Sequence, residues 1–427
     1  MTHKLFLGVD IGTSGVRICA INAEQRIAAV AATELPPPRQ RDAEIDQDPE
    51  LWWRAVVDTL QVLGRSVDLG TARRIAIDGT SGTLLLTDAA GRPCSKGLMY
   101  NDTRAAREAM RIKTAAPPES GAHGASSALA KLLHLLGSGI AADVSHAMHQ
   151  ADWIAGRLAG RFGFSDENNA LKLGYDPVGR SWPTWLKALD VPRELLPQVL
   201  APGALVGRIN GAVAAMTGLP TQTEIRAGTT DGVAAFIATR ASALGDAVTS
   251  LGTTLVVKLL SERPIFAPAQ GVYSHRLGDR WLAGGASNAG GAALLAHFTA
   301  DQMAALTPRL KAASPTGLDY YPLPKPGERF PIADAALPPR VTPRPEDDVT
   351  FFQGLLEGIA TIEAMAHDRL RQLGAPPLKQ VISIGGGAKN AAWTEIRRRA
   401  LGVPVITAET TEASYGAALL ALQGGPP

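Results

Sequence analysis

Short apolar runs separated by turns rich in Gly, Thr and Ser open the chain. Residues 5–9 (LFLGV) and 16–21 (VRICAI) flank the segment DIGTSG (10–15). Apolar runs bounded by turn residues are typical of β-strands. The pattern therefore predicts strand, turn, strand. Residues 73–88 (RRIAIDGTSGTLLLTD) have the same form, and Asp78 stands where it is expected to cap the hydroxyl-rich turn.

Helical spacing follows these strands. Asp48-Pro49-Glu50 predicts a helix start, and the Pro-rich, charged segment 34–49 before it predicts a surface loop. The later predictions are helices within 105–160, an irregular segment at 313–349, a helix at 351–373, a strand at 379–384 and a final helix at 413–422.

The opening pattern returns in the second half of the chain. Residues 246–261 (DAVTSLGTTLVVKLLS) again read as strand, Gly-Thr-Thr turn, strand. Two such copies about one domain apart predict a duplication, with two related α/β domains that each contain a mixed sheet.

Composition narrows the class of partner. The chain has 427 residues with 45% apolar and 19% charged residues, so two domains of a globular protein are expected. A net charge of +2 favours a small-molecule partner over nucleic acid or a membrane surface. The two cysteines, Cys19 and Cys94, support neither a disulfide framework nor a metal centre. The apolar run at 5–9 is too short for a signal peptide, so we expect a cytoplasmic protein, either a monomer or a homodimer.

Two Gly-Thr turns are candidate phosphate sites. Gly12, Thr13 and Ser14 offer backbone N–H groups and hydroxyls to an anion, and Asp10 is suited to a hydrated Mg²⁺ or a substrate hydroxyl. Gly252, Thr253 and Thr254 repeat these ingredients without the carboxylate. The alternative for both segments is an ordinary tight hairpin. A P-loop pattern does not occur in the sequence.

The segment GGGAKN (385–390) lies between a predicted strand and a predicted helix. Glycines such as Gly386 and Gly387 allow a flat ligand to approach the backbone, next to a helix N-terminus. Asn390 and Trp393 would share a helix face and could meet a base or ribose. The alternatives are a flexible turn and a Trp393 that packs in the core.

Asp231 in RAGTTDGVAA (226–235) has two interpretations. A carboxylate at a helix start is usually an N-cap. Small residues around it, its place between the two phosphate-type turns, and the lack of a competing His or Cys nucleophile pattern favour a catalytic base.

An ordered set of motifs resembles one family. DIGTSG (10–15), YNDTR (100–104), AGTTDG (227–232), SLGTT (250–254), GGASNAGG (284–291) and GGGAKN (385–390) are together similar to the FGGY carbohydrate kinases, of the actin-like/hexokinase-like ATPase superfamily. IDGTSGTLLL (77–86) and NALKLGYDP (169–177) resemble a short cyanobacterial and plant subgroup linked to D-ribulose phosphorylation.

The resemblance implies two ribonuclease H-like α/β domains with a cleft between them. Residues 1–238 plus 412–427 would bind sugar, and residues 239–411 would bind ATP. Asp231 would be the general base, with Asp10 and Ser81 at the sugar and Asp10 also at Mg²⁺. The phosphates and adenosine of ATP would meet the Gly-rich segments, at Gly12, Thr13, Ser14, Gly252, Thr253, Thr254, Gly386, Gly387, Asn390 and Trp393. The implied reaction is phosphorylation of a ketopentose at its terminal C5 hydroxyl, most of all D-ribulose. D-xylulose, another ketose or polyol, and a non-catalytic actin-like nucleotide binder are the alternatives.

Departures from the family pattern surround the expected sugar pocket. YNDTR stands where W-x-D-x-R is common, and Gly79-Thr80-Ser81-Gly82 stands where xylulokinases usually carry Gln-Met-His-Gly. Asp102 and Arg104 are expected either in the pocket or as a surface salt bridge.

Overall fold

The computed structural model describes residues 4–139 and 143–425. These residues form two compact units. Unit 1 contains the described residues of Met1–Ala238, His275–Gly278 and Glu412–Pro427, and unit 2 contains Thr239–Ser274 and Asp279–Thr411. The sugar-binding and ATP-binding roles expected for the two parts of the chain stay predictions.

Strands and α-helices are interspersed along the described residues. The strands are β1 (Leu5–Ile11), β2 (Gly15–Ile21), β3 (Ile27–Glu34), β4 (Arg39–Arg41), β5 (Glu44–Gln47), β6 (Ala72–Gly79), β7 (Leu84–Thr87), β8 (Gly97–Leu98), β9 (His146–His149), β10 (Phe164–Asp166), β11 (Gln198–Leu200), β12 (Leu205–Arg208), β13 (Glu224–Thr230), β14 (Asp246–Leu251), β15 (Leu255–Ser261), β16 (Tyr273–Leu277), β17 (Arg280–Ser287), β18 (Gln380–Ile384) and β19 (Val405–Thr407). The α-helices are α1 (Pro49–Leu63), α2 (Ala106–Ala115), α3 (Ala128–Gly137), α4 (Gln150–Ala159), α5 (Glu167–Ala170), α6 (Gly211–Thr217), α7 (Asp231–Ala238), α8 (Gly291–Leu295), α9 (Ala300–Leu306), α10 (Asp348–Gln372), α11 (Ala391–Leu401) and α12 (Ala413–Gln423).

The predicted duplication is visible in the two large sheets. One sheet has the order β12-β13-β6-β1-β2-β3, and the other has the order β16-β17-β15-β14-β18-β19. In the first, β1 pairs antiparallel with β2 and parallel with β6. In the second, β14 pairs antiparallel with β15 and parallel with β18. The predicted α/β class with mixed sheets is confirmed.

The opening hairpin is buried because its strands are apolar on both faces. Every residue of β1 is buried, and so is every residue of β2 except Arg17. Helix α1 packs on this sheet through Trp52, Val56 and Leu60, and Asp48 caps it by accepting the N–H of Glu50 at 3.1 Å. The predicted helix start at Asp48-Pro49-Glu50 is thus confirmed.

The last helix closes over the centre of unit 1. A Cβ at Gly8 would lie 2.0 Å from the carbonyl oxygen of Ser414, and a Cβ at Gly416 would lie 1.8 Å from that of Ala234. Glycine is therefore needed on β1 and on α12, because any side chain would separate α12 from β1 and α7. This packing sets the positions of β1 and α7.

Two sequence predictions need correction. The segment 34–49 contains the hairpin β4–β5, since Arg39 to Arg41 pair with Glu44 to Asp46. The strand, turn, strand predicted at 73–88 is confirmed by β6 and β7, which belong to different sheets, with β6 beside β1 and β7 beside β8 and β9. Asp10 lies within β1 and pairs with Arg17 of β2, so it is a strand residue rather than a turn residue.

Across residues 4–139 and 143–425, no helix is both long enough and apolar enough to span a bilayer.

Candidate active site

Three neighbouring strands of unit 1 carry polar residues in one row. Asp10 on β1 pairs with Asp78 on β6, and Asp78 pairs with Thr229 on β13. Adjacent strands lie about 4.8 Å apart, so the row is compact. Asp231 is the first residue of α7, directly after β13. The sheet register therefore groups three carboxyl groups near the C-terminal ends of these strands.

A bulge in β13 decides where Asp231 lies. The register between β13 and β6 shifts between Arg226 and Thr229. A Cβ at Gly228 would lie 1.6 Å from the carbonyl oxygen of Ile77, so no other residue fits there. Asp231 itself is partly exposed, and its Oδ1 accepts the N–H of Gly232 at 2.6 Å. Its carboxylate is at a helix start, as the sequence predicted, while its role as a base stays a prediction.

Asp78 has a more central position in this group of carboxyls than its predicted role as a turn cap implied. Its side chain is fully buried, and neither carboxyl oxygen accepts a hydrogen bond from an N–H or O–H group within the described part of the chain. Burial, followed by the charges of Asp10 and Asp231, raises the pKa of Asp78 well above its usual range. A protonated Asp78 can donate to the Asp10 carboxylate, which is the interaction that joins the two groups. The predicted role of Asp78 as a turn cap is wrong, because it accepts no backbone N–H.

Asp10 is nearly buried and keeps one cationic neighbour. Its exposed fraction is 7%, and Arg17 Nη1 lies 3.4 Å from its Oδ2. Burial raises the pKa of Asp10, although the proton of Asp78 and the charge of Arg17 oppose the shift. The described residues contain no group of three or more His, Cys, Asp or Glu side chains that could hold a metal ion.

The carboxyl groups of Asp10 and Asp78 decide whether unit 1 is suited to Mg²⁺. The candidate ligand atoms are carboxyl oxygens, and those of Asp78 accept no hydrogen bond from the other described residues. Mg²⁺ prefers oxygen ligands and is usually held by one or two carboxylates together with water and substrate phosphates. Asp10 fits that mode, whereas a cage built only from protein ligands does not.

The turn after β6 leaves the sheet beside Asp231. Gly79 pairs with Thr230, so Ser81 and Asp231 both follow the same edge. The hydroxyl of Ser81 is buried and has no hydrogen-bond partner among residues 4–139 and 143–425. An unsatisfied buried hydroxyl is costly, which makes Ser81 suited to a ligand that brings a hydrogen-bonding group.

Lys131 holds this turn from behind. Its side chain is fully buried, and its Nζ donates to the carbonyl oxygens of Gly82 at 2.7 Å and Ser126 at 2.9 Å. Burial, partly opposed by the charge of Asp102, lowers the pKa of Lys131 to about 7. The turn that carries Ser81 is thus fixed by a buried amine on α3.

The first Gly-Thr segment is a partly open turn of unit 1. Gly12 and Thr13 are partly exposed, and Ser14 is exposed. The N–H of Gly12 donates to the carbonyl oxygen of Gly15 at 3.0 Å, and the N–H of Leu35 donates to that of Ser14 at 2.9 Å. These bonds hold the hairpin shape while the hydroxyls stay accessible.

The corresponding segment of unit 2 is also open. Thr253 is exposed, and Gly252 and Thr254 are partly exposed. The N–H groups of Gly291 and Ala292, at the start of α8, donate to the carbonyl oxygens of Gly252 and Thr253 at 2.8 and 3.1 Å. The turn is therefore fixed from one side and accessible from the other.

The third Gly-rich segment follows β18 and contacts the end of β14. Gly385 has a φ of 85°, and a Cβ there would lie 2.8 Å from the carbonyl oxygen of Leu251. A Cβ at Gly386 would meet no atom within 4 Å. The glycines thus bring two candidate segments of unit 2 together and leave open space at Gly386.

Asn390 and Trp393 support this segment rather than sharing a free face. Asn390 caps α11, and its Oδ1 accepts the N–H of Trp393 at 3.0 Å. Trp393 is only 3% exposed, and its Nε1 donates to the carbonyl oxygen of Leu356 on α10 at 3.1 Å. Its ring packs under Gly387, where a Cβ would lie 2.5 Å away. Trp393 is therefore the core residue that the sequence left as an alternative.

Behind these segments lies a buried ion pair that the sequence did not reveal. Arg397 on α11 and Glu363 on α10 are fully buried, with Nε and Oε2 at 2.6 Å. Arg397 also donates to Ser383 of β18 at 2.6 Å, and Glu363 accepts from Thr249 of β14 at 2.6 Å. In the sequence, the sign of this pair is one charged residue at an otherwise apolar position of each helix. The network joins both helices to the strands that precede the two segments.

Asp102 and Arg104 are not a surface salt bridge. Asp102 is fully buried, and Arg104 reaches both Asp102 at 2.7 Å and Asp46 at 2.8 Å. The N–H of Ile45 also donates to Asp102 at 2.6 Å. The pair is a buried link between the β4–β5 hairpin and the segment 99–104.

Comparisons with known proteins cover nearly the whole chain. Residues 5–238 match the N-terminal domain, and residues 247–424 the C-terminal domain, of the FGGY family of carbohydrate kinases. A xylulose kinase of Escherichia coli strain K12 is 25% identical, over 92% of this chain and 84% of its own length.

Two further relatives agree with this match. A xylulose kinase of Streptomyces coelicolor is 27% identical over 96% of this chain and 85% of its own. A solved structure described as a xyloylose kinase from Brucella ovis matches with a TM-score of 0.90 and 24% identity, over 98% of this chain and 90% of that one. The chain belongs to the FGGY family of carbohydrate kinases and is an ATP-dependent sugar kinase of that family.

Proposed function

We propose that this protein transfers the γ-phosphoryl group of ATP to the terminal C5 hydroxyl of a ketopentose, with D-ribulose as the preferred substrate and D-ribulose 5-phosphate as the product. The observation that carries the proposal is the register of unit 1, which puts Asp10 and Asp78 in one row and Asp231 at the adjacent helix start. A non-catalytic nucleotide binder needs a carboxylate for Mg²⁺, but it has no need of a base at Asp231 near an unsatisfied Ser81.

In this proposal Asp231 is the general base. Its carboxylate accepts the proton of the sugar hydroxyl, whose oxygen then bonds to the γ-phosphorus as the bond to ADP breaks. Phosphoryl transfer depends mainly on positioning and charge neutralisation, and a well-placed base contributes about 10²–10⁴ in rate. Asp10 would hold the hydrated Mg²⁺, which supplies neutralising charge to the phosphates. Protonated Asp78 would keep Asp10 in place without adding a second negative charge.

The sugar and the nucleotide are assigned to different groups. Ser81 would bond a sugar hydroxyl, since its own hydroxyl is buried without a partner within the described residues. The phosphates would meet Gly12, Thr13, Ser14, Gly252, Thr253 and Thr254, and the adenosine would lie on Gly386 and Gly387. Asn390 and Trp393 would hold that segment in shape from below.

D-ribulose is preferred to D-xylulose because of the turn that carries Ser81. It reads Gly-Thr-Ser-Gly, with smaller side chains than the Gln-Met-His-Gly turn usual in xylulokinases. D-xylulose is the second candidate, and the xylulose kinases among the relatives favour it.

The test is ADP release from Mg·ATP with a panel of ketoses and polyols, followed by NMR of the product to find the phosphorylated carbon. We expect D-ribulose to give the highest kcat/KM and phosphate on C5. A higher value for D-xylulose would favour the second candidate. The absence of stimulation by every sugar would overturn the kinase proposal.

A further inference from the structure

Unit 1 contains a cavity whose chemistry suits an anion. It has a volume of about 420 Å³ and is lined by Tyr175, residues 180–182, Arg193 and residues 196–199. Cavities of roughly 300–1,000 Å³ are typical of small-ligand sites. Tyr175 and Trp182 meet edge to face in its wall, with ring centroids 5.2 Å apart.

Among the described residues that line this cavity, two are arginines and none is acidic. Arg193 is exposed, and its guanidinium makes no hydrogen bond or ion pair with any residue that the structure describes. Arg180 is half-exposed and uses its Nε to reach Glu167 Oε1 at 2.9 Å. Guanidinium groups bind phosphate through paired N–H donors, so one free and one partly used guanidinium form a phosphate-type lining.

The backbone of the cavity wall is held in shape before any ligand arrives. Asp176 and Ser181 exchange backbone hydrogen bonds, and Trp182 Nε1 donates to the carbonyl oxygen of Pro197 at 3.1 Å. Between them Arg180 has a φ of 48°, a left-handed conformation that is costly for a side chain of this size. Such strain is often found at binding sites, where surrounding contacts maintain it.

Arg180 also connects the cavity to the candidate base. Its partner Glu167 is only 4% exposed, and Glu167 Oε2 has no hydrogen-bond partner in the described chain. The next residue, Asn168, donates from its Nδ2 to Thr229 Oγ1 at 3.0 Å. Thr229 lies near the end of β13, two residues before Asp231, which begins α7. Arg276 Nε also lies 3.8 Å from Glu167 Oε1, so Arg180 is one of two cationic groups beside the residue that precedes Asn168.

We propose that this cavity is an inhibitory site for a sugar phosphate, the class of molecule that the enzyme produces. Arg193 and Arg180 bind the phosphate, and the rings of Tyr175 and Trp182 contact the C–H face of the sugar. Occupancy weakens the bond from Arg180 to Glu167 and lowers turnover. The proposal rests on the proposed function for the identity of the ligand, but its binding test needs no turnover.

The test is calorimetric titration with D-ribulose 5-phosphate while D-ribulose and a non-hydrolysable ATP analogue saturate the active site. We expect one further sugar phosphate to bind the wild type. Because a charge-assisted hydrogen bond contributes roughly 1.5–3 kcal/mol, the Arg193→Ala variant should bind it about 10- to 150-fold more weakly. Arg54→Ala, which removes an exposed arginine on α1, is the matched control and should bind like the wild type.

Kinetics give the second readout. The product should inhibit the wild type with a component that saturating sugar and ATP do not relieve, and Arg193→Ala should lose that component with kcat and both KM values unchanged. Equal binding by Arg193→Ala, no further site in the wild type, or equal affinity for inorganic phosphate would overturn the proposal. If no sugar is phosphorylated, the proposed function fails, whereas the titration still decides whether the cavity binds sugar phosphates.

Discussion

The two duplicated sheets differ in where their equivalent strands, β1 of unit 1 and β14 of unit 2, carry buried polar residues. Where unit 1 has Asp10 before Ile11-Gly12-Thr13, unit 2 has Ser250 before Leu251-Gly252-Thr253. One residue earlier, unit 1 has buried Val9, and unit 2 has buried Thr249. Thus the buried polar residue of β1 is a carboxyl near the end of the strand. The buried polar residue of β14 lies one position earlier, on the opposite face of its strand.

The two buried clusters also differ in how they are satisfied. Asp78 lacks a donor within the described residues, and its pKa is raised, first by burial. For Glu363, burial opposes the charge, but Arg397 and the other donors outweigh it, and the pKa is lowered. The stability from Glu363 is therefore lost as the pH falls below its ordinary 4.5, whereas that from Asp78 is lost as the pH rises above 3.8. In unit 1 the buried Asp78 is electrostatically unfavourable in its charged form and lies close to the candidate base. In unit 2 the buried Arg397–Glu363 pair holds two helices to the sheet.

The largest expected effect is the loss of the base in unit 1. Asp231→Asn should lower kcat by about 10²–10⁴-fold, because the amide cannot accept the hydroxyl proton. ATP binding, measured by titration, should stay at the wild-type level. Turnover close to that of the wild type would refute the role of Asp231.

The ion pair of unit 2 should affect folding rather than chemistry. Arg397→Met leaves Glu363 buried and unpaired, which should cost about 3–5 kcal/mol in the free energy of unfolding, measured in urea. The double variant Glu363→Met/Arg397→Met should recover most of that loss, since no buried charge remains. A single variant as stable as the wild type would mean that the pair is not the rigid support we describe.

His367, one turn after Glu363 on α10, should make unit 2 sensitive to acid. Burial lowers the pKa of His367 from 6.5 to about 4, and neither ring nitrogen has a hydrogen-bond partner in the described chain. The unfolded chain then binds more protons between these pH values, so stability falls as the pH drops from 6.5 toward 4. The shift corresponds to roughly 3 kcal/mol at the acid end.

Replacing the imidazole tests this dependence. His367→Leu should flatten the fall of the unfolding free energy between pH 6.5 and 4, measured by urea titration at each pH. His123→Leu changes a partly exposed histidine of unit 1 and should leave the slope as in the wild type. The same slope in both variants would assign the acid sensitivity elsewhere.

The smallest effect should come from the open turn of unit 2. Thr253→Ala removes one exposed hydroxyl, and a net hydrogen bond contributes about 0.5–1.5 kcal/mol. We expect the KM for ATP to rise about 2- to 10-fold while the KM for sugar stays constant. A change confined to the sugar KM would contradict the phosphate role of this turn.

The strands, most helices and the duplication were predictable because they rest on local patterns. The apolar runs at 5–9, 16–21 and 246–261 predict buried strands without any knowledge of which strands they pair with. The segments carrying Asp10, Asp231, Gly252 and Gly386 could be singled out as candidates for the same reason, since Gly and Thr turns have a local signature. The β4–β5 hairpin was missed because its prolines and charges resemble a loop.

By itself, the sequence determined the fold class, the family motifs and the candidate base Asp231. Only the tertiary structure decided which side chains are neighbours. Asp78 became a buried partner of Asp10 through sheet register, Trp393 became core through the packing of α10 and α11, and Arg397 met Glu363 through two helices that converge on one sheet. Burial and the loss of water depend on contacts between residues far apart in the chain. No local pattern contains that information.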